Sequence, residues 1–122
     1  MELYHQTSTN QEVILGQTLR DFGQMWLDQN RPEQAEPLLQ EALPIFRAQL
    51  GNNHRATIQA ARTLGSCLLA LDRYDEAEPL LVESFTYYQN EAMVKELAPA
   101  REALYDLYTA WSKPDKAAEY AQ

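Results

Sequence analysis

Basic residues, cysteine, histidine and glycine are all scarce in this chain, and each scarcity removes a class of function. Ten Lys and Arg stand against eighteen Asp and Glu, a net charge of −8. Nucleic-acid binding rests on clustered cations that neutralise phosphates, and adsorption to an anionic membrane needs the same, so this balance argues against both. A lone cysteine, Cys67, rules out an intrachain disulfide and fits a reducing, cytoplasmic setting. No run approaches the ~20 apolar residues of a membrane span, and no basic segment followed by an apolar stretch opens the chain as a signal peptide. His5 and His54 are the only histidines, and neither has a Cys, Asp or Glu at zinc-like spacing. Glycine-rich phosphate loops and nucleophile motifs are missing as well. The expectation is a protein with no metal, no cofactor and no catalytic residues.

What is present favours helices. Glycine numbers four, while Ala, Leu, Gln and Glu dominate. A chain of 122 residues makes one domain, long enough to bury roughly 65% of the surface its unfolded form exposes. Within it one block recurs. The segment from Arg31 to Ala42 (RPEQAEPLLQEA) returns 42 positions later from Arg73 to Ser84 (RYDEAEPLLVES), with seven of twelve positions identical. A fainter copy runs from Lys113 to Ala121 (KPDKAAEYA). A period of this size means stacked supersecondary units, each burying its apolar face against its neighbours.

Apolar residues at Leu15, Leu19, Phe22, Trp26 and Leu27 have helical spacing, with Gly23 among them. The counterpart 42 residues on carries Ile58, Ala61, Leu64, Leu68, Leu69 and Leu71 around Gly65. A third run carries Leu97, Ala100, Leu104, Tyr105, Leu107, Tyr108 and Trp111, aromatics at core spacing. Each run ends in a polar break holding Asn30, Asp72 or Ser112. These are N-cap types, with Glu33, Asp75 and Asp115 three later, so they are expected to start the next helix. Gly51 suits a helix C-terminus. The pattern predicts an all-α, α-α superhelix (solenoid) of about three antiparallel helix pairs: 11–29 with 31–49, 55–71 with 73–89, and 97–111 with 113–122. Residues 1–10 read as a tag remnant, a frayed end or the tail of a preceding repeat. The domain is then 11–122, in units of about 11–50, 54–90 and 97–122. The link from Asn90 to Glu96 has no glycine and can extend either neighbour. Pro37 and Pro79 conflict with an early helix start, since a proline in the second turn costs roughly 3 kcal/mol or forces a kink, so the second helix of each pair either starts later, near Glu36 and Glu78, or bends. His54 is expected to cap or solvate its turn, and Cys67, among Leu64, Leu68 and Leu71, to be a buried small hydrophobe.

Helix pairs of this kind resemble the tetratricopeptide repeat. The first unit supplies Leu19, Phe22-Gly23, Trp26 and Ala35, and the second Ala61, Leu64-Gly65, Leu68 and Ala77. The third, Arg101, Leu104-Tyr105, Tyr108 and Ala117, puts Tyr where Gly is expected, as in a looser or capping unit. The period of 42, the string Glu-Ala-Glu-Pro-Leu-Leu at Glu76–Leu81, and Leu50-Gly51 followed by His54 and Thr57 look like the kinesin-light-chain subtype. The closing stretch from Ala100 to Tyr120 looks like the end of bacterial arrays sometimes appended to Ser/Thr protein kinases. The resemblance favours helices that run through their prolines.

The resemblance also implies a function: a non-enzymatic module that binds a peptide or protein segment in the concave groove lined by the first helix of each pair. Inward positions would be Gln17, Arg20, Asp21, Gln24 and Asp28 in unit one, Gln59, Arg62, Thr63 and Ser66 in unit two, and Glu102, Ala103 and Asp106 in unit three. Gln, Arg and Asp read peptide backbone, and Arg pairs bidentately with carboxylates. Chaperone-binding members of the family clamp a C-terminal carboxylate with Lys, Asn and Arg. The matching positions here hold Arg20, Gln24, Thr63, Pro99 and Ala103, of which only the first fits, so that partner is not expected. The alternative function is structural: a spacer in a longer array, or a self-association unit forming a homo-oligomer.

Overall fold

The computed structural model describes the backbone of residues 2–121 and the side chains of residues 10–121. Among them are six helices and no strand: α1 (Glu2–Asp28), α2 (Pro32–Leu50), α3 (Arg55–Ala70), α4 (Tyr74–Asn90), α5 (Val94–Ala110) and α6 (Pro114–Ala118). The three-pair, all-α organisation is the one read from the repeat. Helix α1 begins well before residue 11, in a stretch that has neither proline nor glycine to stop it. Helix α6 ends at Ala118, where Glu119 and Tyr120 tighten into i→i−3 bonds. Tyr120 thereby packs its ring against Tyr108 and Phe85, with centroids 5.8 and 5.3 Å away.

Asn30, Asp72 and Ser112 do not cap the following helices. They close the preceding ones, at φ of 61°, 61° and 59°. At each, the residue's own N–H bonds three residues back and the next N–H bonds five back, for example Asn30 N–H to Leu27 C=O at 2.9 Å and Arg31 N–H to Trp26 C=O at 2.8 Å. This satisfies two terminal carbonyls at once and needs a left-handed residue, a role Asn and Asp tolerate well. The following residues, Arg31, Arg73 and Lys113, become the N-caps, without side-chain cap bonds. The glycine-free link uses the same device at Ala92, φ 53°, with Met93 N–H on Tyr88 C=O at 2.9 Å. The break is confined to Glu91–Met93: α4 extends through Asn90 and α5 begins at Val94, so the link lengthens both neighbours around it.

Pro37 and Pro79 lie inside helices that start at Pro32 and Tyr74. Their rings are exposed, as are Glu33 and Asp75 four residues earlier, so water reaches the carbonyls that lose a donor. The α2–α3 joint differs from the others. Gly51 turns at φ 86°, His54 Nδ1 accepts the Ala56 N–H at 3.0 Å, and the buried Thr57 hydroxyl donates to Gly51 C=O at 2.7 Å. The Gly, His and Thr spaced along this joint thus act as terminator, cap and tie.

The core runs along the stack. Ala35, Leu39, Ala42 and Phe46 of α2 meet Ala61, Leu64, Cys67 and Leu68 of α3, and continue through Leu81 to Leu104 and Leu107. Within the first two pairs a glycine of the first helix admits a leucine of the second. A Cβ on Gly23 would lie 2.6 Å from Leu39 Cδ2, and one on Gly65 2.8 Å from Leu81 Cδ2. Ion pairs tie successive units: Glu36 to Arg73 at 2.5 Å, Glu78 to Lys116 at 3.5 Å, and a bidentate Arg47–Glu83 contact at 2.8 and 2.9 Å. Glu78 also accepts the Tyr108 hydroxyl at 2.7 Å, which holds its carboxyl below the usual range, while burial first and this bond second push the buried Tyr108 phenol up.

Candidate interaction surface

Helices α2 and α4 each pack between two first helices, so α1, α3 and α5 approach one another along one side of the stack, while α2 and α4 keep their backbones apart and meet through the Arg47–Glu83 side chains. That side carries half of the positions expected to face inward, while Asp21 lines a shallow depression with Thr18, Phe22 and Met25 instead. A cavity of about 400 Å³ opens there, lined by Gln24, Leu27 and Asp28 of α1, Arg62, Thr63 and Ser66 of α3, and Pro99 and Ala103 of α5. Three helices from three units thus converge on one hollow.

Its polar groups are partly pre-set. Gln24 Nε2 donates to Asp28 Oδ1 at 2.9 Å, which fixes a carboxylate at the α1 wall. The Thr63 hydroxyl donates to the Gln59 C=O at 2.9 Å and leaves its own oxygen able to accept. Arg62 lies with its guanidinium 5.7 Å from the centre of the Tyr88 ring, and no salt bridge is formed by it among the described residues. Burial raises the Tyr88 phenol above its ordinary value, so the ring under the cation stays neutral. Arg20 repeats this arrangement one unit earlier, 5.9 Å above Phe46. Two aromatic rings, each from the second helix of its own pair, hold two arginines at equivalent positions. Such stacking is worth about 0.5–2 kcal/mol and leaves the N–H edges available.

Arg20 is more engaged than Arg62. It donates to Gln59 Oε1 at 3.0 Å across the α1–α3 gap and to Asp21 at 3.3 Å. It bonds neither Gln24 nor Asp28 on its own helix. Gln17, Glu102 and Asp106 are exposed, and none of them lines the hollow. Sequence reasoning named Ala103 among the inward positions but gave no role to Leu27 and Pro99 as lining. Pro99 had a usable signal, since it stands where the earlier units carry Gln17 and Gln59.

Other reactive groups are occupied. Cys67 is fully buried, its thiol 3.3 Å from Pro32 C=O, and burial raises its pKa to about 11. Among the described residues no group of three or more His, Cys, Asp or Glu is placed to hold a metal ion, and no helix is long and apolar enough to cross a membrane. Leu15 and Phe22, read from spacing as part of the apolar run, are 43% and 51% exposed. They face away from α2, on the side of α1 that no other helix covers.

Comparison with known proteins agrees with this architecture. The family profile described as tetratricopeptide repeat matches residues 14–90. The crystal structure of the TPR domain of FLU from Arabidopsis superposes with a TM-score of 0.75 at 25% sequence identity, covering 92% of this chain and 90% of that one. A comparison with curated proteins gives no match.

Proposed function

The chain belongs to the tetratricopeptide repeat family, and from that premise we propose that it is a non-enzymatic interaction module holding a peptide or protein segment in the hollow between α1, α3 and α5. The observation that carries this reading is the convergence of Gln24, Asp28, Arg62, Thr63 and Ser66 on one cavity. Arg62 brings a cation with no carboxylate of its own, on a protein of net charge −8, and Arg20 extends the same stripe. An extended segment bearing Asp, Glu or a free C-terminus finds charge-assisted donors there, with Asp28 and Gln24 opposite to accept or donate along its backbone. Peptide display against the immobilised protein tests the reading. Acidic sequences should be enriched, and the enrichment should disappear in an Arg20→Ala/Arg62→Ala variant shown to be folded by circular dichroism. Undiminished enrichment in that variant would move the site elsewhere.

The period of 42 and the Gly51–His54–Thr57 joint support the kinesin-light-chain-like subtype within the family, organised in units of about 11–50, 54–90 and 97–122. A bacterial, cytoplasmic multidomain protein, with a Ser/Thr kinase as neighbour, is the setting we propose for it. A second reading, as a structural or self-association unit of a longer array, draws on apolar surface at both ends of the stack. Ile14, Phe22 and Met25 are bare at one end, and an apolar hollow of about 700 Å³ beside Tyr105, Ala118 and Ala121 opens at the other.

A further inference from the structure

The uncovered side of α1 has the form of an interface that the molecule builds twice elsewhere. Ile14, Leu15, Phe22 and Met25 form a stripe, 59%, 43%, 51% and 38% exposed, with Thr18 between them. Moving 82 residues along the chain, Leu15, Thr18, Phe22 and Met25 become Leu97, Ala100, Leu104 and Leu107 of α5. The last three are buried beneath α4. Moving 42 residues, the same positions become Thr57, Ala60, Leu64 and Cys67 of α3, all buried beneath α2. On α1 a shallow depression of about 360 Å³, lined by Thr18, Asp21, Phe22 and Met25, stands where α2 and α4 lie on the later units.

A second, electrostatic observation points the same way. Arg73 receives Glu36 from the preceding second helix, and Glu78 likewise reaches the start of α6, 3.5 Å from Lys116 and within the field of Lys113. Arg31 holds the position equivalent to Arg73 and Lys113, at the foot of the bare stripe. It is exposed and forms no salt bridge among the described residues. The ladder has a first cation without its acid.

We propose that this face of α1 docks one helix of a partner protein, of the α4 type. Its chemistry is an acid facing Arg31, then large apolar residues two and three turns on that fill the stripe, as Glu78, Phe85 and Tyr88 of α4 do against Tyr108, Arg101 and Ala100 of α5. A second copy of this chain does not meet the requirement. The packing faces of its α2 and α4 are already buried, and its α6, five residues long among the described residues, carries Ala118 where the acid should be. Pairing of two α1 stripes would leave both Arg31 side chains unmatched and join two chains of charge −8.

The probe is a synthetic peptide of the α4 sequence, residues 73–91, carrying Thr86→Lys and Asn90→Asp joined as a side-chain lactam that holds it helical. It is titrated into the full-length, isotope-labelled protein while amide shifts are followed. Shifts should cluster at Leu15, Thr18, Phe22, Met25 and Arg31, and affinity should fall at least tenfold in Phe22→Asp and in Arg31→Glu. A peptide carrying Glu78→Arg should restore binding to Arg31→Glu and bind the natural protein poorly, a reversal that misfolding of either partner does not produce. Arg62→Ala should bind as the natural protein does, which separates this face from the groove. Shifts confined to the groove, no shifts at millimolar peptide, or loss in Arg31→Glu without the reversal would each overturn the proposal. So would a concentration-dependent dimer of the protein alone that Phe22→Asp abolishes, since the occupant would then be a second copy.

Discussion

At the crossing of α3 and α4 the first helix yields and the second fills: Gly65 makes room and Leu81 enters, a Cβ on that glycine lying only 2.8 Å from Leu81 Cδ2. In the third unit the equivalent positions are Tyr105 and Ala121, and they line one hollow together. Large and small have changed places between the two helices. The pair, rather than either residue, is what the repeat keeps, because close packing constrains the summed volume at a crossing and not its distribution. The exchange has a cost in burial. Leu81 is fully buried, while Tyr105 is 40% exposed, since α6 stops short of covering it.

The largest test of this contrast is Leu81→Ala. Emptying the buried side of the α3–α4 crossing should cost about 2–5 kcal/mol, read as a drop in the denaturation midpoint. The formally equivalent change in unit three has already been made by the sequence. Next is Gly65→Leu, which overpacks the same crossing and should cost about 1–3 kcal/mol. A thermal melt indistinguishable from the natural protein would show that the helices can part there, and the asymmetry between the units would lose its meaning.

Smaller effects separate the tethers of the two units. Glu36 is held by an arginine, whereas Glu78 is held first by the Tyr108 hydroxyl and then by Lys116. The carboxyl of Glu78 is held below its ordinary pKa. A group with a depressed folded pKa adds stability that is complete above the unfolded value and fades as pH falls through the folded one. Glu78→Gln should therefore remove about 1 kcal/mol near neutral pH and little in strong acid, so that the two stability–pH curves converge below pH ~4. Parallel curves down to low pH would show that the tie is steric. The smallest effect sharpens the opening contrast most. Tyr105→Gly alone should cost about 1 kcal/mol. Adding Ala121→Leu should return part of that, an interaction visible in a double-mutant cycle. Strict additivity would mean the two positions do not share a crossing.

The sequence showed most of the fold because periodicity reports which residues are inside, and a repeat reports it three times. Its failures have local causes. Asn30, Asp72 and Ser112 were assigned to the wrong helix because the same short polar side chains suit an N-cap and a left-handed terminus. Only the hydrogen bonds distinguish the two. Ala92 gave no sign at all, since alanine has no preference for that conformation, and the joint is imposed by the packing on either side. Leu15 and Phe22 were read as inside because spacing shows which face of a helix is apolar but not whether a neighbour exists to cover it. Six of the inward positions, Ala103 among them, did converge on the hollow, because the direction of a side chain on a helix follows from its register. Gln17, Glu102 and Asp106 fell outside its lining, since register says nothing of how far a superhelix bends toward a given residue.

Helices here touch chiefly their immediate neighbours in the chain, with first helices grazing one another along the inner side. Contacts that are local in sequence close without long loops, so such a chain folds quickly and can begin at any joint. It also comes apart from its ends. Helix α6 packs on α5 and reaches α4 only through the Lys116–Glu78 side chains, whereas α3 is flanked by α2 and α4, so amide exchange with deuterium should sweep inward and reach α3 last. A ligand bridging α1, α3 and α5 would tie an end to the middle, slowing exchange far beyond the residues it touches and lending the array a cooperativity its nearest-neighbour contacts do not provide.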